Sequence, residues 1–89
     1  MIQCRVLVIN KLGLHARAAS KFVQCCSAFG CTIRVGAGDR KVDGKSIMSV
    51  MMLAAGKGTE LELEFDGDDE EQARAALCRL IEERFGEPE

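Results

Sequence analysis

Residues 60–65 read Glu-Leu-Glu-Leu-Glu-Phe, a strict alternation of carboxylates and large apolar side chains. Successive side chains of a β-strand point to opposite faces. As a strand, this segment turns Leu61, Leu63 and Phe65 towards a core and Glu60, Glu62 and Glu64 towards water. The acidic row is most simply a solvated sheet face. The matching apolar face needs a cover, and segments of helical period elsewhere in the chain can supply it.

Ile2–Ile9 is rich in Val, Leu and Ile and reads as a strand with a central place in the sheet. Asn10–Gly13 is a loop. From Ala16 to about Ala28 the period changes: Ala19, Phe22, Val23 and Cys26 fall on one helical face, with Arg17, Lys21 and Gln24 elsewhere. Gly30 is expected to end this helix. Cys31–Val35 and Arg40–Val42 read as a hairpin turned through Gly36–Asp39. Ser46 looks like the N-cap of a short helix containing Ile47, Val50, Met51 and Ala54, broken by Gly56-Lys57-Gly58. Asp68 followed by Glu71 resembles a capping box, with Asp68 as the cap. The last helix is expected to run to about Phe85, with Ala73, Leu77, Leu80, Ile81 and Arg84 on one side and Ala76 widening the stripe. Gly86–Glu89 is expected to fray. The order is βαββαβα: an α+β protein with three helices on one face of a four-stranded antiparallel sheet, one domain over residues 1–89. Strand order stays open.

Composition excludes several functions. The 89 residues carry a formal net charge of −2, and with four Phe and no Tyr or Trp they offer neither a basic surface nor a stacking platform for nucleic acid. No apolar run is long enough to span a membrane, and Met1–Arg5 is not a basic segment leading into a long apolar core. A cytoplasmic protein without a signal peptide is expected. Five cysteines, an odd number, argue against a disulfide framework. Without a CxxC pair, and with one histidine, no metal site is expected. The cysteines read as small apolar residues, with Cys25 or Cys26 exposed enough to oxidise in vitro.

That histidine carries the chemistry. A lone histidine is usually an ordinary surface or core residue. His15, however, sits in Gly13-Leu14-His15-Ala16-Arg17, after a strand-like run and immediately before a helix. The free N–H groups of a helix N-terminus, here beginning at Ala16, favour an anion, as does the Arg17 guanidinium. Imidazole ordinarily titrates near neutrality, so its lone pair is available, and it can attack phosphorus and hold the phosphoryl group covalently. Phosphoryl transfer depends mainly on positioning and charge stabilisation.

Two segments resemble a known family. Lys11-Leu12-Gly13-Leu14-His15-Ala16-Arg17 is similar to the active-site motif of HPr, the histidine-containing phosphocarrier of the bacterial phosphoenolpyruvate-dependent phosphotransferase system. Lys45-Ser46-Ile47-Met48-Ser49-Val50-Met51 is similar to its regulatory-serine motif, at the family's usual separation. The resemblance implies an open-faced β-sandwich. It implies that His15 takes a phosphoryl group from Enzyme I through Nδ1 and passes it to a histidine of an enzyme IIA domain, without metal or cofactor. The protein would be a covalent intermediate, not an enzyme in its own right, and a monomer with transient partners. Ser46 has two readings, a helix N-cap and the target of HPr kinase/phosphorylase. A short helix cannot bury all of Ile47, Met48, Val50, Met51, Met52 and Leu53. The resemblance assigns Ile47, Met48 and Met51, with Ala16, Arg17, Ser20 and Gln24, to a partner-docking face; Met suits several partners because it repacks easily. One departure stands out. Most sugar-system members have Pro where this chain has Ala18. Ala18-Ala19 and Met52–Thr59 look closer to the nitrogen-related paralogues (NPr) and to HPr of regulatory systems, which leaves a mainly regulatory module as the alternative.

Overall fold

The computed structural model describes residues Met1–Glu89. Its elements are β1 (Ile2–Leu7), α1 (Ala16–Ser27), β2 (Thr32–Ala37), β3 (Arg40–Asp43), α2 (Ile47–Met52), β4 (Glu60–Asp66), α3 (Glu70–Glu82) and a closing 3₁₀ turn, Arg84–Gly86. The four strands form one antiparallel sheet in the order β1-β4-β2-β3. The expected open-faced α+β sandwich is the one observed.

The alternating segment is β4, and it is central, flanked by β1 and β2. Val6 pairs with Leu61, Cys4 with Leu63 and Ile2 with Phe65, while Val35 pairs with Leu63 on the other side. This register puts the apolar side chains of three strands on one face. Ile33, Val35, Leu61, Leu63 and Phe65 are completely buried there, beneath Phe22 and Cys26 of α1 and Ala73, Leu77 and Ile81 of α3. The opposite face carries Arg34, Glu62 and Glu64, with Lys41 of β3 paired to Glu64. Such an exposed pair contributes little to stability.

Several local expectations change. β1 is an edge strand, not a central one, and it ends at Leu7. Its residues alternate between half-buried and exposed, as an edge covered on one face should. Helix α1 stops at Ser27, with Ala28 in right-handed geometry as its cap, so Gly30 does not serve as a left-handed stop. The cap of α3 is Asp69, one residue past Asp68, and its side chain does not cap the helix. Its carboxylate instead accepts from the N–H groups of Gly30 and Cys31 at 2.8 and 2.9 Å, tying the α1–β2 turn to the start of α3. Those donors are the first reason its carboxyl is held below the ordinary value.

The end of the chain differs most. Helix α3 finishes at Glu82, and Arg84 and Phe85 adopt left-handed conformations, with φ of 57° and 55°. The reversal leaves Arg84 exposed and drives Phe85 into the core at 1 % exposure. The Lys21 ammonium donates to the Phe85 carbonyl at 2.7 Å. Residues Glu87–Glu89 therefore return to α1 instead of fraying. No helix is long and apolar enough to cross a membrane.

Candidate functional site

His15 is the N-cap residue of α1, in extended geometry, and its side chain caps nothing. The first helical hydrogen bond runs from Ala19 N–H to the His15 carbonyl at 2.8 Å. The N–H groups of Ala16, Arg17 and Ala18 precede it and so lack intrahelical acceptors. The helix dipole adds positive potential at the same end. Ala18 and Ala19 are fully buried and anchor this end in the core. The imidazole is partly exposed, at 29 %, and lines an open cleft of about 730 Å³ with Lys11, Leu12, Ala16 and Arg17.

The loop before the histidine is fixed by close contacts. Gly13 has φ of +66°, and a Cβ there would lie 2.6 Å from the Ala55 carbonyl oxygen. The Leu14 N–H donates to that oxygen at 2.8 Å. Asn10 is completely buried, and its Nδ2 donates to the Gly13 carbonyl and to Glu87 Oε1, both at 2.9 Å. Asn10 Oδ1 has no donor, so the amide is held by its donor side alone.

The other wall of the cleft is the returning segment Glu87, Pro88 and Glu89. Glu87 Oε2 is hydrogen-bonded to His15 Nε2, and the Lys11 N–H donates to the Glu89 carbonyl. Donation from Asn10, then the His15 contact and the nearby Arg17 charge, hold the Glu87 carboxyl below its ordinary value. Neither Asn10 nor Glu87 is marked out by the sequence pattern, and the fraying expected of Gly86–Glu89 does not occur, because Asn10 and His15 both bond Glu87. The available signal was Phe85, an apolar residue beyond the helical stripe, which needs burial and so draws the following residues back.

The expected docking residues occupy two helices that touch, α1 and α2. Ser20 is half-buried and Gln24 exposed on α1; Ile47, Met48 and Met51 are exposed on α2 at 39, 70 and 40 %. Only Val50 of α2 is buried, so the short helix leaves most of its apolar side chains uncovered, as expected. Ser46 is the N-cap of α2: its Oγ accepts from Ser49 N–H at 3.4 Å and its hydroxyl donates to Ser49 Oγ at 3.1 Å. Cys26 is buried, and burial pushes its thiol up to about 12; Cys25 is half-buried and also raised by burial. No cluster of His, Cys, Asp and Glu side chains forms a metal site.

The sole histidine of an open-faced antiparallel sandwich thus lies in a cleft at the start of the first helix. Residues 2–83 match the family model described as PTS HPr component phosphorylation site. The phosphocarrier protein HPr of Pseudomonas aeruginosa is 56 % identical over 85 residues, 94 % of each chain. The crystal structure of an HPr from Thermoanaerobacter tengcongensis superposes with a TM-score of 0.96 at 45 % identity, covering both chains completely. An HPr dimer from the same organism gives 0.79 at 46 % identity, covering 98 % of this chain and 100 % of that one. The chain belongs to the HPr family, the phosphocarrier component of the bacterial phosphotransferase system.

Proposed function

We propose that His15 is the phosphoryl acceptor, that phosphorylated Enzyme I is the donor, and that an enzyme IIA domain receives the group next. One observation carries this reading: the only histidine of a phosphocarrier chain sits at a helix N-terminus with its ring partly open to a cleft. The lone pair of the neutral ring's Nδ1 attacks phosphorus, the bond between phosphorus and its carrier atom on Enzyme I breaks, and that electron pair returns to Enzyme I. Onward transfer reverses the roles, with His15 as leaving group. Arg17 and the Ala16 N–H stabilise the transferred oxygens. The partners supply the remaining catalysis, so the chain is a covalent intermediate needing no metal or cofactor.

Ser20, Gln24, Ile47, Met48 and Met51 form the docking face, and flexible Met side chains let it serve more than one partner. Ser46 lies beside that face at a helix N-terminus, where a phosphate is electrostatically tolerated. Its modification by HPr kinase/phosphorylase would bring negative charge to the surface that meets Enzyme I and inhibit transfer. The protein acts as a cytoplasmic monomer, one domain over residues 1–89. A second reading, an NPr-type regulatory module, draws on Ala18 and on Ser46 beside the exposed α2 side chains; preference for a nitrogen-type over a sugar-type IIA domain would select it.

The test is a reconstituted chain of labelled phosphoenolpyruvate, Enzyme I, this protein and a IIA domain. Label should reach IIA only when this protein is present, arrive at least tenfold more slowly with Arg17→Ala, and fail to arrive with His15→Ala. Equal labelling of IIA with His15→Ala overturns the reading.

A further inference from the structure

We infer that Glu87 is a positioning residue for His15: its carboxylate holds the Nε2–H and thereby leaves Nδ1 as the free, oriented nucleophile. The inference rests on His15 as the acceptor and adds a residue that neither motif of the sequence contains.

The contact belongs to a built arrangement. Glu87 Oε2 meets His15 Nε2, and Glu87 Oε1 accepts from the fully buried Asn10 at 2.9 Å. Both carboxylate oxygens are thus engaged, and the side chain is only 14 % exposed. The backbone that delivers it is pinned on both sides. Phe85 is buried in the core and its carbonyl accepts from Lys21; the Glu89 carbonyl accepts from the Lys11 N–H. Asn10 and Lys11 belong to the loop leading into His15, so loop and returning segment hold each other.

The chemistry follows from which nitrogen is occupied. An imidazole whose Nε2–H donates to a carboxylate is fixed in the tautomer with a bare Nδ1, and its ring cannot rotate freely. When Nδ1 attacks phosphorus, the new N–P bond forms as the bond between phosphorus and the donor breaks, its electron pair staying with the donor. The ring becomes an N-phosphorylated imidazolium, and its proton stays on Nε2. The positive charge that develops is then compensated through a charge-assisted hydrogen bond, stronger in the phosphorylated ring than in the neutral one. Glu87 therefore acts on the chemical step through the ring and not on partner docking, which uses the exposed side chains of α1 and α2.

The test compares the wild type with Glu87→Ala and Glu87→Gln in two measurements. The first is ¹H–¹⁵N NMR of the His15 ring in the unphosphorylated protein. The wild type should show a protected Nε2–H resonance and a bare Nδ1. Glu87→Gln, which keeps an acceptor without charge, should retain a weakened Nε2–H signal, and Glu87→Ala should lose it to solvent exchange. The second is phosphorylation of His15 by Enzyme I. Its kcat should fall on the order of tenfold in Glu87→Ala, the difference between a charge-assisted bond and none, with KM for this protein nearly unchanged and Glu87→Gln between the two. A wild-type ring without a protected Nε2–H, an unchanged or raised kcat, or a defect confined to KM overturns the inference. Failure of Enzyme I to label His15 in the wild type would instead sink the acceptor assignment, and the ring spectra separate the two failures.

Discussion

Gly13 and Gly38 have nearly the same backbone conformation, with φ of +66° and +63°, but very different surroundings. Alanine at either position meets left-handed strain of about 1–2 kcal/mol. It also gains about 0.4–1 kcal/mol because the unfolded chain loses freedom. At Gly38, in the β2–β3 turn, a Cβ meets nothing within 4 Å, so strain and gain largely offset. At Gly13 the Cβ lies 2.6 Å from both the Ala55 oxygen and the Gly56 Cα, backbone atoms that cannot swing aside. Residues 13–14 must then move off that segment. The Leu14–Ala55 hydrogen bond, 2.8 Å long, contributes about 1 kcal/mol. Partial exposure of Leu14, now 5 % exposed, loses roughly another 1 kcal/mol from a full burial value of about 1.5–3 kcal/mol. Gly13→Ala should therefore fall below Gly38→Ala by roughly 2 kcal/mol in urea unfolding, or about 8–16 °C in Tm. Equal stabilities of the two variants would refute the close approach that fixes the histidine loop.

Phe85→Ala should destabilise by about 3–5 kcal/mol, because the buried ring anchors the returning segment; calorimetry checks this, and a loss below about 1 kcal/mol would place the ring outside the core. The folded Asp69 carboxyl is held below its ordinary 3.8, so the stability it contributes is fully present above that value and is lost as pH falls through the lower folded value. Asp69→Asn should flatten the fall in stability below about pH 4, which acid titration of the unfolding midpoint reads directly. Ser46→Ala should lower stability by about 0.5–1 kcal/mol and Ser46→Asp by much less, since aspartate also caps. With its thiol pushed up to about 12, Cys26 should resist iodoacetamide in the folded state at pH 8, and mass spectrometry should find it alkylated only on unfolding.

What the sequence made legible follows from where a side chain's environment is decided. β4 was readable because its exposure alternates residue by residue, and α1 because Ala19, Phe22 and Cys26 must share a face. Ser46 was readable as a cap because the interaction spans three residues. β1 was misplaced because periodicity says which face is covered, not which strands lie beside it. Asp69 bonds backbone groups 38 and 39 positions away, so a local capping pattern pointed to its neighbour. The same limit hid Glu87. A short polar stretch has no apolar rhythm, and its order comes from Asn10 and His15, 77 and 72 positions distant.

The central claim, that His15 carries the phosphoryl group, is tested most directly by intact-mass spectrometry at neutral or alkaline pH. Wild type and His15→Ala are incubated side by side with phosphoenolpyruvate and an active cognate Enzyme I. The account predicts an acid-labile gain of one phosphoryl group on the wild type and none on the variant. Equal labelling of both proteins would contradict it.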